Sequence, residues 1–321
     1  MTFTRWLALL IAALAAATAG AQQYPARTIR LVVGFPPGGG TDLIARLLGQ
    51  KLTDAWGQQV IVDNRPGATG MIGANIVAKA PPDGYTLLMG HVNSQAIAPS
   101  LVQKPLYDPL RDFATVAYIG YVPNVLVVHP STPAKNIREL IALAKAHPGE
   151  LTFASPGVGS TNHLAGEMFK RATGVNLVHV PYKGSGPAII DMLAGHIVMN
   201  FDAMSSVINY IKQGRMRALA VTTTERDPQL PDVPTLRELG LKDYNVTNWY
   251  GVVAPAASAR EIVTRLNAEI NRITQFPDVK AKLDELGTRL NPMTPEKFTE
   301  FLQAEIAKYQ KVAKETGVRM E

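Results

Sequence analysis

The 321-residue chain contains no cysteine. That excludes disulfides, thiolate metal ligands, a thiol nucleophile and a lipid carried on an N-terminal cysteine. Several chemical signatures are missing too. No G-x-S-x-G nucleophile elbow occurs, and Gly184-Ser185-Gly186 lacks its spacing. No H-E-x-x-H pair exists among the six histidines. His163 and Glu167 stand one helical turn apart, but two ligands do not make a zinc site. The phosphate-loop pattern G-x-x-x-x-G-K-S/T is absent, and no dinucleotide fingerprint G-x-G-x-x-G is found at the first glycine-rich loop. No cofactor and no metal are expected. Basic residues are scattered, with none of the aromatic-basic interleaving that nucleic acids require, so no nucleic-acid partner is expected.

The first residues carry a secretory signal. Arg5 is the positive start, Trp6–Ala17 the apolar stretch and Ala19-Gly20-Ala21 the small-residue cleavage site. Residues 1–21 are therefore expected to be a signal peptide cleaved after Ala21, giving a periplasmic protein. The apolar stretch is too short to span a bilayer comfortably. Removing residues 1–21 takes away Arg5 and no acid, so the net charge falls from +6 to +5. That mild excess favours anionic ligands, with ordinary solubility as the duller account. The remaining 300 residues are long enough for two domains.

Short apolar β-rich runs alternate with helical patterns. Ile29–Val33, Val60–Asp63, Thr86–Met89, Val125–Val128, Leu151–Ala154, Leu177–Val180, Val198–Phe201, Leu219–Thr222 and Tyr250–Ala254 read as strands. Asn136 with Glu139 and Ser258 with Glu261 fit capping boxes, and Thr294-Pro295 fits a helix start. The alternation predicts an α/β fold with mainly parallel sheets. The last quarter is different, with helices about Ala259–Gln275, Asp278–Leu286 and Pro295–Thr316 and no further long strand. One domain interrupted by another explains this. Residues 22–123 with 247–321 form domain 1 and residues 124–246 domain 2, with the late helices packing back on domain 1.

Two loops stand out. FPPGGGTD, Phe35 to Asp42, follows a strand and opens a helix. Free backbone N–H groups at the positive end of a helix make an anion pocket, and consecutive glycines let a ligand approach the backbone. A tight connection with no ligand is the plainer alternative. ASPGVGSTNH, Ala154 to His163, repeats the arrangement with hydroxyls at Ser155, Ser160 and Thr161. Facing each other across a cleft, the two loops would grip a small anion. Ser155, Ser160, His163 and Asp202 also keep a secreted hydrolase open as an alternative.

The chain resembles the substrate-binding receptors of tripartite tricarboxylate transporters, the Bordetella uptake gene family. The resemblance rests on YPARTIRLVVGFPPGGGTDLIAR at 24–46, VDNRPGATGMIGA at 62–74, PPDGYTLLMG at 81–90, ASPGVGSTNHLAGEMF at 154–169, HVPYKGSGPAIIDMLAGHI at 179–197 and WYGVVAPA at 249–256. It implies a two-domain periplasmic binding protein that closes on a small organic acid and delivers it to membrane permease subunits, without catalysis. A receptor that signals to a membrane sensor kinase is the alternative use of the same fold. The resemblance implies a first gripping loop of Pro37, Gly38, Gly39, Gly40, Thr41 and Asp42. It implies a second of Ser155, Gly157, Gly159, Ser160, Thr161 and His163, with Asp202 as an acidic position that accepts from the ligand or caps the next helix. Asn93 and Ser94 end another strand and are expected to line the cleft. Lys183 is taken as a lysine on a surface turn, with an ion pair to a distal ligand carboxylate as the alternative.

Overall fold

The computed structural model describes residues 24–242 and 244–320. The expected signal peptide lies outside the described residues. The strands are β1 (Ile29–Val33), β2 (Val60–Asn64), β3 (Thr86–His91), β4 (Phe113–Val128), β5 (Thr152–Ser155), β6 (Val178–Pro181), β7 (Met199–Ala203), β8 (Arg217–Val221), β9 (Thr247–Pro255) and β10 (Arg289–Leu290). The helices are α1 (Gly40–Trp56), α2 (Met71–Ala78), α3 (Ala98–Leu101), α4 (Ile137–Ala146), α5 (Thr161–Thr173), α6 (Ser185–Leu193), α7 (Met204–Lys212), α8 (Arg260–Ile273), α9 (Pro277–Glu285) and α10 (Pro295–Thr316). A π-helical turn, Asn93–Ile97, leads into α3.

The strands form one curled sheet in the order β2-β1-β3-β9-β4-β7-β5-β6, with β8 and β10 also pairing to β4. β4 holds the two halves together. From Phe113 to Pro123 it pairs with β9, and from Asn124 onward with β7 and β8. Alongside this switch, the Val246 amide donates to Thr222 O before Thr247 joins β4 opposite Pro123. Two strands thus cross side by side from one half to the other.

The sheet is mixed, not mainly parallel: four pairings are parallel and five antiparallel. The crossing strands cause this, because β9 carries the chain back beside β4. The first part of β4 is absent from the sequence reading. Two register shifts, at Thr115/Ala117 and Tyr118/Gly120, break its alternation. Gly120 reads as punctuation but meets a packing need, since a Cβ there would lie 2.2 Å from Arg289 O of β10.

Helix ends follow their local chemistry. Asn136 Oδ1 accepts from the Glu139 amide at 2.9 Å, and Thr294 caps α10 by accepting from Lys297 N. Ser258 does not cap α8. The N-cap falls one residue later, on Ala259, with the helix starting at Arg260, and the Ser258 hydroxyl is buried without a partner among the described residues. The late helices pack on the first half of the sheet. Asn267 Nδ2 donates to Val116 O at 2.7 Å, Trp249 Nε1 to Glu305 Oε2 at 2.9 Å, and Trp249, Tyr118, Phe298 and Phe301 form an aromatic cluster.

Candidate functional site

Four helices begin at one cavity of about 660 Å³. The loops leaving β1, β3, β5, β6 and β7 supply its wall, together with Asn248 and Tyr250 of β9. α1 enters it with Gly39, Gly40 and Thr41, α5 with Ser160, Thr161 and Asn162, α6 with Gly184 and Ser185, and α7 with Ala203, Ser205 and Ser206. No side chain caps the first residues of α1, α6 or α7. Their unused N–H groups and aligned peptide dipoles give the cavity a positive field without many cations.

The first loop divides its labour. Pro37, Gly39, Gly40 and Thr41 line the cavity, while Gly38 and Asp42 stand behind. Gly38 turns the chain in the left-handed region, φ +85°, and its amide donates to Asp42 Oδ2 at 2.9 Å. Asp42 also accepts from Arg46 Nε and Asn64 Nδ2, each at 2.9 Å. Burial pushes its carboxyl up. The bonds from Arg46, Gly38 and Asn64 together outweigh that and hold it below the usual carboxylate range. Asp42 therefore shapes the loop from within.

The second loop is braced in the same way. Gly157, Ser160 and Thr161 line the cavity, whereas Ser155, Gly159 and His163 do not. Ser160 Oγ accepts from the His163 amide and donates to Gly157 O at 2.7 Å. His163 Nδ1 accepts from the Gly159 amide at 3.2 Å, and its ring stacks on His179 with centroids 3.8 Å apart. Ser155 Oγ meets His179 Nε2 at 2.7 Å. Burial, with the Lys170 charge behind it, pushes His163 down to about 4, and burial pushes His179 down to about 4. Both rings are neutral near pH 7. The C-terminal tail lies across the back of this loop. The Met320 amide donates to Leu101 O at 3.1 Å, and a Cβ on Gly159 would lie 2.5 Å from Met320 Sδ.

Asn93 lines the cavity; Ser94 does not, its hydroxyl donating to His91 O at 3.2 Å. Asp202 lines it and is buried. Its carboxylate accepts from Ala203 N at 2.8 Å, Asn200 Nδ2 at 2.9 Å and Asn162 Nδ2 at 3.4 Å. Burial pushes it up to about 6 against those bonds. Lys183, taken from the sequence as a turn lysine, also lines the cavity, and it is the one cationic wall residue among the described residues. Its turn is fastened to the second loop by Tyr182 N to Ser155 O at 2.9 Å and Gly184 N to Pro156 O at 3.0 Å. His91, Asn248 and Tyr250 line the wall without having been singled out from the sequence. Only β9 lying beside β3 and β4 reveals them. Among the described residues no group of three or more His, Asp or Glu side chains is placed to hold a metal ion.

A curled α/β chain with crossing strands, and with a cavity floored by helix N-termini from both halves, has the architecture of periplasmic binding proteins. The model for the tripartite tricarboxylate transporter family receptor matches residues 44–318, and the chain belongs to that family of receptors. It is 39% identical over 325 residues to protein BugT of Bordetella pertussis, covering 100% of both chains. Rpa4515 of R. palustris, solved with adipate, superposes with a TM-score of 0.83 at 39% identity, covering 92% of this chain and 99% of that one. MatC of Rhodopseudomonas palustris, solved with bound malate, gives 0.79 at 32% identity, covering 90% and 99%.

Proposed function

We propose that this protein is a periplasmic receptor that captures one small organic acid and delivers it to the permease subunits of a tripartite transporter. The observation that carries this reading is the convergence of four helix N-termini on one cavity. Uncapped amides there suit carboxylate oxygens, directly or through water. Adipate and malate, bound by the two solved relatives, are both small carboxylates.

In this reading Pro37, Gly39, Gly40 and Thr41 form one jaw, and Gly157, Ser160 and Thr161 the other. Gly38, Asp42, Ser155, Gly159 and His163 hold the jaws in shape. Asp202 accepts from a hydroxyl or amino group of the acid, and Asn93 closes the side of the site. Lys183 meets a second negative charge. The jaws belong to two domains, 22–123 with 247–321 and 124–246, divided where β4 changes partners. The ligand favours the closed arrangement by touching both. No bond is made or broken, and a signal peptide is removed after Ala21.

Native mass spectrometry of the protein from its own host tests this by weighing a co-purifying acid. Gly39→Leu is the paired control. Gly39 has ordinary φ of −81°, and a Cβ there meets nothing closer than 4.0 Å, so the fold tolerates a side chain that fills the jaw. Loss of acid binding with an unchanged melting temperature is expected. Undiminished binding by Gly39→Leu would overturn the jaw assignment.

A further inference from the structure

His91 and Tyr250 stand in the cavity wall outside both glycine-rich loops. They are cross-strand partners in the β3–β9 pairing, with ring centroids 5.2 Å apart. Phe35 packs edge-on against the His91 ring at 5.1 Å. Each is only 6% exposed, and each lines the cavity.

Each keeps one polar atom that the protein does not use. His91 Nδ1 accepts from the Asn93 amide at 3.1 Å, so the ring proton of the neutral imidazole sits on Nε2. Among the described residues Nε2 has no hydrogen-bond partner, and neither has the Tyr250 hydroxyl. A Cβ on Gly40 would lie 3.1 Å from that hydroxyl, which places it against the first turn of α1. Both atoms open onto the cavity beside an uncapped helix start, so each is a donor available to an acceptor on a ligand.

We infer that His91 Nε2–H and the Tyr250 hydroxyl donate directly to a carboxylate oxygen of the bound acid, from the wall of the first half of the sheet. This rests on the receptor reading above and adds to it two side-chain donors that lie outside both glycine-rich loops. Both groups being neutral, the pair selects an acceptor and needs no counter-ion.

Calorimetry with succinate, malate, glutarate and adipate tests the pair on the wild type, Tyr250→Phe, His91→Phe and His91→Gln. Tyr250→Phe and His91→Phe are each expected to weaken the tightest-binding acid about tenfold or more. His91→Gln, which keeps an N–H near Nε2, should recover part of that loss. Because a His91 variant can fail to fold, the His91 ring of the wild type is also followed by nitrogen NMR. Its Nε2–H resonance is expected to shift when the acid is added. Affinities within twofold of wild type for Tyr250→Phe, or a His91 resonance indifferent to the acid, would overturn the pair while leaving the receptor standing. If the wild type binds none of the four acids and no acid co-purifies from the host, the receptor reading itself falls.

Discussion

Thr161 donates its hydroxyl to Asn248 Oδ1 at 2.7 Å, and Asn248 Nδ2 donates in turn to Asn124 Oδ1 at 2.6 Å. All three are buried. The chain of bonds ties the first residue of α5 to both crossing strands. Thr161→Val keeps the shape and leaves Asn248 Oδ1 without that donor. We expect a loss of about 1–3 kcal/mol in stability, measured by denaturant unfolding, with weaker acid binding. An unchanged unfolding midpoint would show that the hydroxyl is not part of the brace.

Asp42 is the buckle of the first loop, accepting from Gly38, Arg46 and Asn64. Asp42→Ala should cost about 1–2 kcal/mol in stability, the part of those bonds that solvent does not replace. Acid affinity should fall several-fold, because the amides of Gly39 and Gly40 lose their fixed direction. Calorimetry at a temperature where the variant is fully folded separates the two effects. Full affinity in a destabilised variant would mean the loop keeps its shape unaided.

Lys183 precedes the uncapped start of α6, where a cation is disfavoured unless an anion is near. Lys183→Gln should weaken a dicarboxylate by about two- to fivefold, the range of an exposed ion pair, and leave its singly charged counterpart unchanged. The difference should shrink in high salt. Equal losses for both acids would assign Lys183 to the general field and not to a second carboxylate.

Acid should destabilise the protein. His91 is pushed down to about 3 by burial, and His163 and His179 to about 4, all from an ordinary 6.5. The unfolded chain therefore binds more protons than the native one below pH 6.5, and stability is lost as pH falls from there towards 4. Asp202, raised to about 6 from 3.8, works the other way between those two values, but it is one group against three. A thermal melt series from pH 7.5 to 4.5 should show a steady fall. His179→Gln should give a shallower slope, and a slope equal to the wild type's would refute the assignment.

Much of this was legible in the sequence for physical reasons. β1 and β5 are apolar runs that end in glycine-rich turns, so local chemistry alone announces strand, loop and helix start. The braces were not legible. Asp42 and His163 sit in the loop motifs, yet which way they face depends on Asn64 and His179, remote in sequence. His91 and Tyr250 are separated by about half of the chain, and only the antiparallel register of β3 and β9 brings them together. Lys183 reads as an ordinary turn residue until its turn is seen fastened to the second loop. Ser258 shows the opposite failure, a good local motif left unused because the turn from Pro255 starts the helix one residue late.

Met320 packs on Gly159 and bonds to Leu101, joining the back of the second loop to the other half of the chain. Handling the molecule in the laboratory is affected by this. An affinity tag or fluorescent reporter fused at the C-terminus would be tethered one residue from that contact. A surface-immobilised sample held by this end would be restrained at the very loop whose response is being measured. Attachment through an engineered cysteine on an exposed helix such as α9 avoids the difficulty, because the native chain has no thiol to compete with it.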